Sequence, residues 1–92
     1  MEIRKWNDGI MAFVKALNEF REKKKMIKYA ECMNNLGTLY LYAGIIDQAE
    51  RCFLMSYEIK KKNYPQFSRK LISSLLNLYE CNIATLNYEQ AQ

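Results

Sequence analysis

The chain has no histidine, a single proline, three glycines and one tryptophan among its 92 residues. Without histidine there is no His-ligated metal and no Ser-His or Cys-His nucleophile. So little proline and glycine argues against disorder and against a turn-rich all-β fold. No apolar run approaches the ~18 residues of a membrane span, and the first residues lack the apolar core of a signal peptide. A soluble, cytoplasmic protein with no membrane partner is expected. Cysteine is also sparse. Cys32, Cys52 and Cys81 are odd in number and show no CxxC spacing. Each sits in an apolar, helix-like stretch, so buried free thiols are expected rather than a disulfide framework or a metal site.

Half of the residues are hydrophobic. A chain of this length makes one small domain, 1–92, that buries roughly 60–65% of the surface its unfolded chain exposes. The net charge is +4, which by itself would suit an acidic partner or a nucleic acid. The lysines, however, gather as Lys23-Lys24-Lys25 and Lys60-Lys61-Lys62. Both runs fall where a helix should end and where cations complement the helix dipole. No aromatics interleave with them as on a single-strand stacking surface, so nucleic acid is the disfavoured partner.

The periodicity is helical throughout. Trp6, Ile10, Phe13, Val14, Leu17 and Phe20 recur at three-four spacing and predict a helix over about 3–25, with Gly9 as an interruption. Cys32, Leu36, Leu39 and Tyr40 make the stripe of a second helix, about 27–42, closed by Gly44. Asp47 is placed to cap a third, about 47–62, carrying Ala49, Cys52, Phe53, Tyr57 and Ile59. Asn63-Tyr64-Pro65 is the clearest break, because the residue before proline is driven out of the α region. A fourth helix is expected over about 67–86.

The helices repeat. Phe13 lies 40 positions before Phe53, and the same offset pairs Gly9 with Ala49 and Ala16 with Ser56. Leu75, Leu78 and Tyr79 stand 39 positions after Leu36, Leu39 and Tyr40, with Leu76 in the place of Gly37. Tyr88-Glu89-Gln90-Ala91 echoes Ile46-Asp47-Gln48-Ala49 at an offset of 42. That echo implies a turn within 79–91. Leu71, Leu75, Leu78, Asn82 and Leu86 equally fit one face of a single long helix, and both readings stand at this level.

Leu36, Gly37, Tyr40, Ala49, Phe53 and Ser56 resemble the signature of the tetratricopeptide repeat (TPR). In that pattern small residues let two helices approach while aromatics fill between them. The family's aromatic near Met33 and its proline near Lys61 are missing. The period of 39–42 exceeds the standard of about 34 residues, and in this it resembles kinesin light chain and Gram-positive peptide-pheromone regulators. The resemblance implies an all-α fold of antiparallel helix pairs in a short, right-handed solenoid. Its parts would be a partial repeat at 1–25, a complete one at 30–62 and a partial one at 67–92, as a piece of a longer array.

The resemblance also implies a function. In such arrays the first helix of each pair lines a concave groove that holds a partner peptide. Mapped through Leu36, the groove positions are Glu31, Asn34, Asn35, Thr38 and Tyr42. Mapped through Leu75, they are Lys70, Ser73, Ser74 and Asn77, followed by Glu80 and Cys81. Asparagine has both a donor and an acceptor, and can pair with an extended backbone without reading its side chains. Clamps for a terminal carboxylate combine Asn with Lys or Arg, and Lys70 is the cation available here. Glu31 and Glu80 could share the groove, but acid-base catalysis needs a pocket that separates their pKa values, which an open groove does not provide. The expectation is a scaffold module with no cofactor that binds a protein or an extended peptide. Its alternative is a peptide-sensing or oligomerisation module of a cytosolic regulator. The apolar residues of the terminal helices further predict a homo-oligomer joined through them.

Overall fold

The computed structural model describes residues 3–65 and 68–91, with side chains over 6–65 and 68–86. Four helices follow one another: α1 (Ile3–Glu22), α2 (Met26–Tyr42), α3 (Ile46–Asn63) and α4 (Arg69–Ala91). No strand occurs among the described residues. Each helix packs against the next, and α2 also touches α4 along a narrow line. The molecule is flat, 40 × 31 × 15 Å. Its thin axis leaves little interior, and among the described residues Phe53 is the one large apolar side chain that is almost wholly buried.

The first two connections are the same device. After α2, Gly44 adopts φ +82. Its N–H donates to Leu41 O at 3.1 Å and the Ile45 N–H to Tyr40 O at 2.9 Å. This is the Schellman closure, with a left-handed residue just past the helix. After α1, Lys24 takes the same position at φ 56, with Lys24 N–H donating to Arg21 O and Lys25 N–H to Phe20 O. The left-handed turn stops α1 at Glu22, three residues short of the end expected from periodicity. Asp47 is not the cap of α3. Ile45 occupies that place without a side-chain bond, and Asp47 lies in the first turn, where its charge suits the dipole. The third break is the one expected at proline: Tyr64 is extended (φ −123, ψ 152). The Ser68 hydroxyl then accepts the Lys70 N–H at 3.2 Å and begins α4.

The core has two lobes. Leu17, Cys32, Met33, Leu36 and Cys52 pack with Ile10, Phe13, Phe20 and Tyr29 between α1, α2 and α3. Ala49, Phe53 and Cys81 pack with Leu41 and Leu78 between α2, α3 and α4. Tyr40 belongs to both. Gly37 is what brings α2 and α3 together. A Cβ there would stand 2.7 Å from Phe53 Cε1 and 3.1 Å from Cys52 Cβ. Behind that crossing the buried Ser56 hydroxyl donates to Ala30 O at 2.7 Å, tying α3 to α2. All three cysteines are free and buried.

Helix α4 is continuous to Ala91, so there is no turn within 79–91. Its phase differs from the face drawn through Leu71, Leu75, Leu78, Asn82 and Leu86. Leu71, Ser74 and Cys81 point inward, while Leu75, Asn82 and Leu86 are exposed. Helix α1 departs from expectation too. Ile10, Phe13, Leu17 and Phe20 are covered by the core, leaving Met11 and Val14 as its exposed large apolar residues among those described.

Candidate functional site

The residues placed in the groove sit on two facing helix surfaces. Glu31, Asn34, Asn35, Thr38 and Tyr42 follow the spacing of one face of α2, and Lys70, Ser73 and Asn77 that of one face of α4. Two side-chain bridges join these faces. Lys70 Nζ lies 3.8 Å from Glu31 Oε1, both groups half-exposed. One turn further along α2 and two turns further along α4, Asn77 Nδ2 donates to Asn34 Oδ1 at 2.9 Å. The Thr38 hydroxyl donates to Asn34 O at 3.2 Å and so stays on its own helix. Asn35 and Ser73 are exposed beside the bridges.

Three assignments fall outside this strip. Ser74 is wholly buried and its hydroxyl donates to Lys70 O one turn back at 3.2 Å, so it offers nothing to a ligand. Cys81 is buried against Ala49 and Phe53 rather than facing a groove. Tyr42 is 73% exposed at the last residue of α2, two turns beyond the Asn34–Asn77 bond. The reason for the first two is rotational. Helix α4 turns positions 74 and 81 toward α3, and 70 and 77 toward α2.

Lys60 is the residue that sequence reading missed. In the run Lys60-Lys61-Lys62, Lys61 and Lys62 are exposed as expected of a solvated helix end, but Lys60 is only 4% exposed. It extends the buried face of α3 through Ala49, Phe53 and Ser56. That three-four spacing was the available signal. Burial pushes its ammonium below the usual lysine range. The Glu31 carboxylate acts in the opposite sense, and the Lys70 charge adds to the depression. Lys60 thus lies within electrostatic reach of the Glu31–Lys70 bridge, with its stem buried.

Chemically the strip is a row of neutral amides flanked by one ion pair. With the Asn34–Asn77 bond made, Asn34 keeps two N–H donors, and Asn77 keeps one donor and its carbonyl. The thiols are unsuited to nucleophilic work. Burial raises Cys32 above its ordinary range and takes Cys52 and Cys81 from 9.0 to about 11, where the reactive thiolate is scarce at neutral pH. Among the described residues no group of His, Cys, Asp or Glu could hold a metal ion, and no helix is long and apolar enough to cross a membrane. No family model, curated protein or solved structure matches this chain.

Proposed function

We propose that the chain is a non-catalytic scaffold module of the cytoplasm. It binds a protein partner by holding an extended peptide segment along the strip between α2 and α4. The observation that carries this reading is the pair of bridges, Glu31–Lys70 and Asn34–Asn77, at the one line where these helices meet. They hold a row of amide donors and acceptors at fixed spacing on an otherwise helical surface. An extended peptide presents its own N–H and C=O groups in alternation and can engage such a row with any side chains.

The architectural part of the proposal is a short TPR-like, right-handed solenoid. It draws on the 39–42 residue offsets, on the packing of each helix against the next, and on the Gly37–Phe53 contact. A peptide-sensing module of a cytosolic regulator would use the same strip.

The test uses peptides selected on the whole chain from a random display library. Asn35→Ala and Asn77→Ala should each weaken the selected peptide about tenfold. Their melting temperatures should move by less than about 4 °C. Peptides that bind both variants as they bind the parent would place the site elsewhere. Binding of random RNA that falls steeply with salt, with no peptide selected, would favour a nucleic-acid binder instead.

A further inference from the structure

The outer face of α4 carries Ile72, Leu75, Leu76, Tyr79, Ile83 and Leu86, each between 40% and 62% exposed. Among the described residues no other helix bears such a stripe. Met11 and Val14 on α1, and Leu54 and Met55 on α3, are isolated pairs. The six side chains span 15 residues, about 21 Å of helix from first to last. Together they present on the order of 500 Å² of apolar surface, the size of a functional patch on a soluble protein.

We infer that this face pairs with the same face of a second copy, α4 against α4, antiparallel about a two-fold axis at Tyr79. Three features select that occupant. The first is symmetry. Counted from Tyr79, the stripe falls at −7, −4, −3, 0, +4 and +7. Reversed about Tyr79, every position but Leu76, which falls against Asn82, lands on another member of the stripe, so an antiparallel pair with its two-fold axis there sets apolar against apolar. Ile72 then meets Leu86, Leu75 meets Ile83, and the two Tyr79 rings meet on the axis.

The second feature is Leu76. On α2 the corresponding stripe, Leu36-Gly37-Tyr40, is covered by α3, and Gly37 permits that approach with Phe53 at contact distance. On α4 a leucine stands where the glycine would be. A helix crossing α4 as α3 crosses α2 would collide with it. An α4–α4 pair at the ordinary interaxial distance of about 8–10 Å accommodates leucine on both sides.

The third feature is size. The patch would form the apolar centre of an interface of about 800 Å² per partner, with the exposed Arg69, Glu80 and Asn82 supplying its polar rim. This contact lies on the side of α4 away from the peptide strip. Either proposal can therefore fail without the other.

The experiment is light scattering of the whole chain at micromolar concentration, with disulfide trapping to read orientation. The parent should be a dimer. Tyr79→Glu should weaken the dimer at least about tenfold, because it places two like charges at the centre of the contact. Its far-ultraviolet circular dichroism and melting should stay intact, since the residue faces outward. Met11→Glu on α1 should leave the dimer unchanged. Tyr79→Cys should cross-link with itself on oxidation. Ile72→Cys and Leu86→Cys chains should cross-link when mixed and not alone, the native cysteines being buried. A parent that stays monomeric would overturn the proposal and leave the face to a different partner or helix. So would a dimer indifferent to Tyr79→Glu, or Ile72→Cys chains that cross-link with themselves.

Discussion

Gly37→Ala sets two opposing terms against each other at one atom. Within a helix interior, alanine is favoured over glycine by about 1 kcal/mol. If Gly37 were merely a helical glycine, the substitution would stabilise the protein. The added Cβ, however, would lie 2.7 Å from Phe53 Cε1, 2.9 Å from Phe53 Cδ1 and 3.1 Å from Cys52 Cβ. Contacts below 3.0 Å are not tolerated, so something must shift. Phe53 is almost wholly buried and cannot swing into solvent. Cys52 Cβ is fixed to the backbone of α3 and moves only if the helix does. Overpacking of this kind costs roughly 1–3 kcal/mol. The net expectation is a destabilisation of up to about 2 kcal/mol, and a larger one for Gly37→Leu. In a domain of this size each kcal/mol is worth about 4–8 °C in melting temperature.

Gly9→Ala is the internal control. A Cβ there meets only Leu39 Cδ2, at 2.9 Å. That atom is the end of a flexible side chain, so the propensity gain prevails and the variant should melt at or slightly above the parent. Thermal melts of the two alanine variants should differ in sign. Phe53→Leu in the Gly37→Ala background should recover part of the loss, with a coupling of about 1 kcal/mol in a double-mutant cycle. A Gly37→Ala variant that melts above the parent would refute the close-packing argument.

Three further outcomes follow from particular features. Lys24→Gly should raise stability by about 0.5–1 kcal/mol, because Lys24 carries a left-handed φ of 56 that glycine adopts without strain. The melt should move up while the helical spectrum stays the same. Stability should also fall between pH 9 and 11. Cys52 and Cys81 are held protonated to about 11 by burial, whereas the unfolded thiols ionise near 9.0. The unfolded chain therefore loses its thiol protons first, and the stabilisation present below pH 9 disappears by about 11, a combined few kcal/mol. Denaturant midpoints across this range check it, and Cys81→Ala should flatten the fall. Lys60 acts in the other sense. Its depressed pKa makes its buried charge costly at neutral pH, a cost relieved as pH rises toward 10.5. Lys60→Met should therefore stabilise the protein at pH 7 by about 1 kcal/mol.

The sequence by itself determined the helical class and the three places where the first four helical segments part, while leaving open whether 79–91 turns. Those are local matters. Three-four periodicity, a glycine free to take φ +82, and a proline that forces Tyr64 to extend act within a few residues of themselves. The likeness of Gly37 and Phe53 to the small and aromatic positions of a repeat signature also led to the expectation that they lie together at a helix crossing, where the two are in contact. Where the left-handed residue was a lysine, at Lys24, the stop was misplaced by three residues, since nothing in lysine's chemistry announces that backbone.

What the tertiary structure decided was rotation. The side chains of α4 allow several apolar faces, and only its packing on α3 and α2 chose Leu71, Ser74 and Cys81 as the inner one. That choice removed Ser74 and Cys81 from the peptide strip. It brought Lys70 to Glu31 and Asn77 to Asn34, residues 39 and 43 positions apart. It also left the stripe centred on Tyr79 outside. The burial of Lys60 beside two exposed lysines was settled in the same way. A charge run reads as solvated in sequence, but a helix turns each residue by about 100°, and one lysine in three falls on the side that the neighbouring helices cover.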